Sequence, residues 1–346
     1  MAVYTVLNKH AIQGILKDYT IGELVKFEPV SSGIENTNYF IWTSGGNTQE
    51  HAPVSWVLTV FENLKKDALP FFNQLTGYLQ KQGLLVPAPV ENNYGSDIFF
   101  IQLDGLRKFG VIVPKFTGSA LSNPSRLDCL AIGEYVAKMH LALTGFSSER
   151  EIDHSPEWCH SLIEQLKPLL SEEDKGLLEL SLTRYLDYQE SIKQCQAGIV
   201  HGDLFRDNVL FEGGKISGVI DFYHAGKTAL LFDLAVIAND WAVNFDCLPP
   251  LFSEDGQPDL ANIELNAIYN EPKLASLIDS YQAVKPLSAE ERLVWPRLLE
   301  LAAFRFWLSR LKTRYLEGYQ NDVKEGDVIK SPLAMKLILL AAMQRR

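Results

Sequence analysis

The stretch IVHGDLFRDNVLFEGGKISGVIDFYHAG, residues 199–226, decides the fold. Two short apolar segments, VLF and ISGVI, flank the turn EGGK, a pattern that is typical of a β-hairpin. Asp203 and Asn208 precede the first strand, and Asp221 ends the second. Because a hairpin returns its second strand beside the start of its first, we expect Asn208 and Asp221 to lie close together, with Asp203 in the loop just before them.

Such a group of oxygen-bearing side chains indicates chemistry on a phosphate. Asn208 and Asp221 are suitable ligands for Mg²⁺, which prefers oxygen and keeps several of its waters. Asp203 is then available to accept a proton from a hydroxyl group. Metal ligands and a residue that orients the nucleophile are the components of phosphoryl transfer. The alternative is an exposed hairpin that happens to be acidic.

The composition limits the class of partner. The chain has 346 residues with 32 Lys and Arg against 43 Asp and Glu, which gives a formal charge of −11. This charge disfavours nucleic acid and anionic membranes as partners, since both attract basic surfaces. The four cysteines are too far apart for a zinc cluster or a disulfide framework. The sequence shows neither a signal peptide nor an apolar run of about 20 residues, so we expect a cytoplasmic protein.

The first 115 residues predict an N-terminal lobe built on an antiparallel sheet. Short apolar segments separated by glycine-containing turns predict strands at 24–30, 37–43, 54–61, 98–104 and 109–116. Helical spacing predicts short helices at 8–18, where Asn8 is a candidate N-cap, and at 67–83, ending near Gly83.

Residues 116–346 predict a mostly helical C-terminal lobe. After a connecting stretch at 114–125, apolar residues recur at helical spacing from Arg126 onward, and further helices are expected at 161–194, 272–284 and 297–316. The hairpin at 199–226 is the strand-rich segment of this lobe. The fold class is therefore α+β, and a ligand cleft between two lobes is expected.

The hairpin also resembles a known signature. In protein kinases an Asp is followed five residues later by an Asn, and an Asp then begins the sequence DFG. Asp203 and Asn208 have this spacing, and DFY replaces DFG at Asp221. The form HGD resembles the aminoglycoside phosphotransferase and choline kinase branch of the protein-kinase-like fold. The resemblance implies a bilobal kinase that uses ATP and Mg²⁺.

In such a kinase a loop between the first two strands covers the nucleotide phosphates, and SSGIENTNYF occupies that place. A single glycine and several short polar side chains replace the usual glycine-rich loop. The candidate nucleotide-binding residues of this segment are Gly33, Asn36, Thr37 and Asn38. Taken alone, the segment is equally an ordinary hairpin turn.

The third strand departs from the kinase pattern. Thr59 stands where a phosphate-binding Lys is expected, and the following helix contains no Glu to pair with such a Lys. Three explanations are open: another cation replaces the Lys, Thr59 itself binds a phosphate or the base, or the chain has lost its activity.

Further motifs narrow the resemblance. Over residues 3–318 the chain resembles the homoserine kinases that are related to choline kinase. The segments that carry this resemblance are SGIENTNYF, VLTVFE, HGDLFRDNVLF, VIDFYHAG, DLAVIANDW and AAFRFWLSRL. Thr at the third-strand position is part of that family's pattern. The resemblance implies transfer of the ATP γ-phosphate to the side-chain hydroxyl of L-homoserine, with Asp203 as the base and with Asn208 and Asp221 as Mg²⁺ ligands.

The ammonium and carboxylate of L-homoserine need partners. The candidates are Asp240 in ANDW and Arg305 in AAFRFW. Because Arg305 interrupts an apolar helix, it is expected either to form a structural ion pair or to bind the substrate carboxylate. His201 and Asp233 are expected to support the loop that carries Asp203.

Two other functions remain open at this point. One is the phosphorylation of a different small alcohol, such as choline, an aminoglycoside, methylthioribose or a sugar. The other is a nucleotide-binding module without catalysis. The sequence leaves the oligomeric state open.

Overall fold

The chain folds as two units in this computed structural model, which describes residues 4–30, 36–44, 53–103, 105–153, 155–248, 263–317 and 332–345. The first unit comprises Met1–Thr117 and Ser217–Ile220, and the second comprises Gly118–Ile216 and Asp221–Arg346. The first unit is built on a β-sheet and the second is mostly helical.

An antiparallel sheet forms the centre of the first unit. Its strands, in spatial order, are β1 (Leu24–Pro29), β2 (Thr37–Thr43), β3 (Val54–Val60), β5 (Leu106–Pro114) and β4 (Phe99–Leu103). The register pairs Thr37 with Val60 and Asn38 with Thr59. Since successive side chains of a strand point to opposite faces, Thr37 and Val60 share one face, while Asn38 and Thr59 share the other.

The N-terminal segment packs on the face that carries Thr37. The hydroxyl of Thr37 accepts the backbone N–H groups of Tyr4 and Thr5, both at 3.0 Å. The Tyr39 hydroxyl donates to the carbonyl of Thr5 at 3.0 Å and accepts the N–H of Leu7 at 2.8 Å. Helix α1 (Lys9–Leu16) follows; it begins at the predicted cap Asn8 and buries Ile12 and other apolar residues against this face.

Helix α2 (Leu69–Lys81) completes the helical part of the first unit. Its buried side chains include Leu69, Phe72, Leu75 and Leu79. The helix ends just before Gly83, whose φ of +83° is strained for any other common residue. The predicted helix at 67–83 is confirmed to within two residues at each end.

The last residues of the first unit come from far along the chain. Within Ser217–Ile220, the N–H of Val219 donates to the carbonyl of Leu85 at 2.9 Å. Gly218 lies against the ring of Phe116, so closely that a Cβ atom would be 2.7 Å from it. The first unit is therefore completed by residues that follow it by about a hundred positions.

Helices dominate the second unit. They are α3 (Arg126–Ala142), α4 (Pro156–Leu166), α5 (Glu172–Lys193), α6 (Leu231–Trp241), α7 (Glu271–Val284), α8 (Ala289–Tyr315) and α9 (Pro332–Met343). Helix α8 packs against α4, α5, α6 and α9, and α3 packs against α7. Every helix among the described residues is too short or too polar to cross a membrane.

Two helix boundaries differ from the prediction. The expected helix at 161–194 is two helices, because the chain turns at Lys167–Leu169 and the side chain of Ser171 caps a new helix by accepting the N–H of Asp174. Helix α8 begins eight residues before the expected start at 297. Ser288 caps it, and the helix continues through Pro296 because its buried face offsets the lost backbone hydrogen bond.

The predicted hairpin is present in the second half of the chain. Its strands are β8 (Val209–Glu212) and β9 (Lys215–Val219), joined by Gly213 and Gly214, which both have positive φ. A short strand β6 (Ser119–Ala120) pairs with β8. Nearby, β7 (Ala197–Val200) pairs antiparallel with β10 (Gly226–Ala229). The N-terminal antiparallel sheet and the mostly helical C-terminal part confirm the predicted α+β fold class.

Gly110 of β5 leads to a test of packing in the first unit. A Cβ atom there would lie 2.0 Å from the carbonyl oxygen of Thr59 and 2.5 Å from the ring of Phe99. We expect Gly110→Ala to lower the free energy of unfolding by about 1–3 kcal/mol, because backbone and ring must both shift. Urea denaturation measures the change.

Gly77 of α2 is the matched control. A Cβ atom there would meet nothing within 4 Å, so Gly77→Ala is expected to raise stability by about 0.5–1 kcal/mol through helix propensity. A Gly110→Ala protein as stable as the wild type would contradict the described packing.

Candidate active site

The loop between β7 and β8 carries the predicted base; we name it the Asp203 loop (residues 201–208). The side-chain amide of Asn208 donates to the carbonyl oxygen of Asp203 at 2.8 Å and to its carboxylate at 2.9 Å. The structure thus brings the predicted base and one predicted metal ligand into direct contact. The backbone N–H of Phe205 also donates to the Asp203 carbonyl at 2.8 Å, which tightens the turn.

A buried carboxylate holds the start of this loop. Asp233, in the first turn of α6, is fully buried. Its two oxygens accept the backbone N–H groups of His201 and Gly202, each at 2.8 Å, and His140 Nε2 lies 3.1 Å from one of them. The expectation that Asp233 supports the loop is confirmed.

Gly202 and His201 shape the turn into Asp203. Gly202 has a φ of +81°, and a Cβ atom there would lie 2.7 Å from the carbonyl oxygen of His224, so only glycine fits. His201 is buried, and its ring contacts that of Phe222 in a tilted arrangement, with centroids 4.4 Å apart. Its Nδ1 accepts the N–H of Asp203 at 3.2 Å, which requires an unprotonated Nδ1. His201 therefore supports the loop, as expected.

Asp240 holds the other part of the loop. It lies seven residues after Asp233, two turns along the same face of α6. Its carboxylate is buried and accepts the N–H of Arg206 at 2.8 Å, and its other oxygen lies 3.9 Å from the Arg206 side-chain Nε. Trp241 adds a hydrogen bond from its indole N–H to the Leu204 carbonyl at 3.2 Å. The predicted substrate ligand Asp240 is thus already bonded to the loop.

Asp221, the second predicted metal ligand, directly follows the hairpin. It follows β9, while Asn208 directly precedes β8, so both residues stand at the open end of the hairpin. Asp221 has a φ of +67°, the only positive value among the described non-glycine residues. Such strain is concentrated at functional sites.

The donor set fits a hydrated hard cation. The described residues contain no group of three His, Cys, Asp or Glu arranged to hold a metal. An amide and a carboxylate oxygen supply two ligands, which suits Mg²⁺ because this ion retains several of its waters.

The predicted nucleotide-binding residues separate into two faces of the sheet. Thr59 donates its hydroxyl hydrogen to the side-chain oxygen of Asn38 at 2.7 Å. Asn36 lies in the bend just before β2. Thr37 is on the opposite face, fully buried, and uses its hydroxyl on the N-terminal segment and on Glu62. The side chain of Thr37 is therefore not placed with the others. Gly33 lies outside the described residues.

A lysine–glutamate pair is present in the first unit, but on the face of Thr37. Lys108 of β5 donates to the Glu62 carboxylate at 2.5 Å and to the Thr5 hydroxyl at 2.7 Å. Burial raises the pKa of Glu62, but hydrogen bonds from Lys108, Thr37 and Thr5 outweigh it and leave that pKa below its ordinary value. This cation ties the N-terminal segment to the sheet and lies on the face opposite Thr59.

Arg305 of α8 is enclosed by protein. Its side chain is buried, its Nη1 lies 3.4 Å from the carbonyl oxygen of Gly202, and its guanidinium carbon lies 5.1 and 5.0 Å from the ring centres of Phe232 and Phe306. Its Nε has no hydrogen-bond partner among the described residues. Burial lowers the pKa of Arg305 to about 10, against the opposing effect of Asp203.

Arg310, five residues further along α8, was not singled out from the sequence. It is partly exposed, and its guanidinium carbon lies 5.4 Å from the ring centre of Phe205 in the Asp203 loop. Burial lowers the pKa of Arg310 to about 10, opposed by Asp240, Asp207 and Asp203. The available signal was a second arginine in the same apolar helix, within AAFRFWLSRL.

Comparison with known proteins gives consistent findings. The model of the phosphotransferase enzyme family matches residues 26–262. Homoserine kinase of Methylobacillus flagellatus is 37% identical over 315 residues, covering 91% of this chain and 88% of that protein. Homoserine kinase of Neisseria meningitidis serogroup B is 34% identical over 343 residues, covering 99% of each.

Solved structures share the fold at much lower identity. Amicoumacin kinase, in complex with AMP-PNP, Ca²⁺ and Ami, superposes with a TM-score of 0.64 at 14% identity, over 98% of this chain and 93% of that one. A microcompartment-associated aminopropanol kinase superposes with a TM-score of 0.57 at 14% identity, over 97% and 94%. The predicted protein-kinase-like fold is confirmed.

Asp233 provides a test of how the loop is held. Asp233→Ala leaves two buried N–H groups without an acceptor, so we expect the free energy of unfolding to fall by about 2–5 kcal/mol. Asp233→Asn keeps one acceptor oxygen and is expected to lose less. Asp279→Ala, at an exposed position of α7, is the control and should stay within about 0.5 kcal/mol of the wild type. Equal stability of Asp233→Ala and the control would contradict this role.

Proposed function

This chain belongs to the phosphotransferase enzyme family and, within it, to the homoserine kinases, and from that membership we propose that it transfers the γ-phosphate of ATP to the side-chain hydroxyl of L-homoserine. The observation that carries the choice of acceptor is the near-full-length identity of 34–37% to homoserine kinases. The products are O-phospho-L-homoserine and ADP, which assigns the chain to threonine biosynthesis.

Asp203 is proposed as the residue that handles the acceptor hydroxyl. An alcohol has a high pKa, so the Asp203 carboxylate orients the hydroxyl and accepts its proton as the oxygen bonds to the γ-phosphorus and the bond to ADP breaks. Its hydrogen bond with Asn208 and the support of His201 fix the carboxylate before substrate arrives. Most of the rate enhancement in such a reaction comes from positioning and electrostatics.

Asn208 and Asp221 would hold Mg²⁺. When bound, this ion neutralises charge on the ATP phosphates. Support comes from the oxygen donors at one end of the hairpin and from the constrained backbone of Asp221.

Asn36, Asn38 and Thr59 are proposed to contact the nucleotide from the first unit. The support for Asn38 and Thr59 is their shared face of β2 and β3 and the hydrogen bond between them, and Asn36 directly precedes β2. Gly33 keeps its proposed role in the phosphate loop. Thr37 is left out of the proposal, since its hydroxyl is buried on the other face.

The sequence predicted Asp240 and Arg305 as substrate ligands. Both are now proposed to act through the Asp203 loop. Asp240 is bonded to the N–H of Arg206, and Arg305 is enclosed beside Gly202. Both fix the surface on which the acceptor binds.

A panel of alcohols tests the acceptor. Purified protein with MgATP is given L-homoserine, choline, an aminoglycoside, methylthioribose or 3-aminopropan-1-ol, and ADP release and ³¹P spectra of the product are measured. We expect L-homoserine to give the highest kcat/KM. Turnover of another alcohol beside none of L-homoserine would overturn the proposal.

Asp203→Asn tests the base. We expect kcat to fall by about 10²- to 10⁴-fold, because the amide cannot accept the proton. The Kd for ATP, measured by calorimetry, should stay within about twofold, since hydrogen-bond capacity and shape are largely kept. Glu212→Gln, at an exposed position at the end of β8, is the control with unchanged kcat. An Asp203→Asn enzyme with near-normal kcat would exclude Asp203 as the base.

A further inference from the structure

Two arginines of α8 flank the Asp203 loop, and only one of them has donors available to a ligand. Arg305 is 5% exposed and enclosed by Phe232, Phe306 and the Gly202 carbonyl. A small molecule has no access to a guanidinium in that position. Arg305 is therefore a positioning residue for Gly202 and, through it, for Asp203.

Arg310 differs in both exposure and partners. It is partly exposed, and it makes no hydrogen bond or ion pair with any residue that the structure describes. A guanidinium carries five N–H donors in a planar fork suited to a carboxylate. Partly withdrawing such a group from water without a partner is unfavourable, so an unpartnered arginine beside a site is a natural anion ligand.

Arg310 lies beside the loop that carries the proposed base, Asp203. Its guanidinium lies over Phe205, two residues after Asp203 in the same loop. The Phe205 ring meets Phe306 edge to face, with centroids 4.5 Å apart, and Arg305 lies near that second ring. This aromatic pair fixes the loop against α8 and holds Arg310 beside it.

The charges around Arg310 restrict the class of ligand. The carboxylates that act on it belong to Asp240, Asp207 and Asp203. A simple carboxylate would be repelled by this group of three acids, whereas a zwitterion places its ammonium near an acid and its carboxylate on the arginine. Homoserine is such a zwitterion, with three carbons between the hydroxyl oxygen and the carboxylate carbon.

We propose that Arg310 binds the α-carboxylate of the acceptor and thereby selects an amino-acid alcohol over other alcohols. This inference rests on the proposed function, since it names how that same site chooses its substrate.

The test compares two acceptors that differ only in the carboxylate. 3-Aminopropan-1-ol is L-homoserine without its carboxylate. For Arg310→Gln we expect kcat/KM with L-homoserine to fall about 10- to 100-fold, mostly through KM, and kcat/KM with 3-aminopropan-1-ol to stay within about twofold. Arg310→Lys, which keeps the charge but not the fork, should lie between.

Three controls separate the roles. Arg314→Gln, one turn further along α8 at an exposed position, should leave both acceptors unchanged. Arg305→Gln should lower kcat for both acceptors alike, as expected of a positioning residue. L-2-Aminobutyrate, which lacks the hydroxyl, should inhibit the wild type, and its inhibition constant should weaken in Arg310→Gln by the same factor as KM.

The outcomes distinguish this inference from the function on which it rests. No turnover of L-homoserine by the wild type contradicts the proposed function and the inference together. Turnover by the wild type with equal losses for both acceptors in Arg310→Gln, or with no loss, overturns the inference alone. If Arg310→Gln fails to fold, shown by its thermal unfolding, Arg310→Lys decides in the same way, through its kcat/KM with both acceptors and its inhibition constant for L-2-aminobutyrate.

Discussion

The geometry of the candidate site depends on the buried carboxylate of Asp233. A charge without solvent contact persists only when donors surround it, and here the donors are the backbone N–H groups of His201 and Gly202, with His140 beside them. The carboxylate therefore fixes where the chain turns, and the turn in its left-handed conformation at Gly202 fixes the direction in which Asp203 leaves it.

The rest of the loop is held in the same manner, from rigid helices. Asp240 and Trp241 of α6 bond to the backbone on the far side of Asp203, and Arg305 of α8 reaches the Gly202 carbonyl. A loop of eight residues has little structure of its own, but helices on two sides remove most of its freedom. Asn208 then joins the two ends by bonding to Asp203.

Local patterns in the sequence were sufficient for much of this. The hairpin, its glycine turn and the position of Asp203 in the loop just before Asn208 depend on near neighbours, so they were predicted correctly. The face of the sheet on which Thr37 lies is covered by residues about thirty positions away in the chain. The alternation of side chains along a strand separates two faces, but it does not say which of them meets the nucleotide. The same limit applies to Arg305 and Arg310: both interrupt an apolar helix, and only tertiary packing decides which one is enclosed.

The discontinuity of the first unit affects how the chain is made. Val219 and Gly218 pack on Leu85 and Phe116, so a fragment that ends at Thr117 lacks a segment that packs on this unit. During synthesis, the sheet and its two helices emerge from the ribosome long before residue 220 does, and they wait incompletely covered while the Asp203 loop is being made. The N-terminal part of this chain is thus a unit of structure without being an independent unit of biosynthesis.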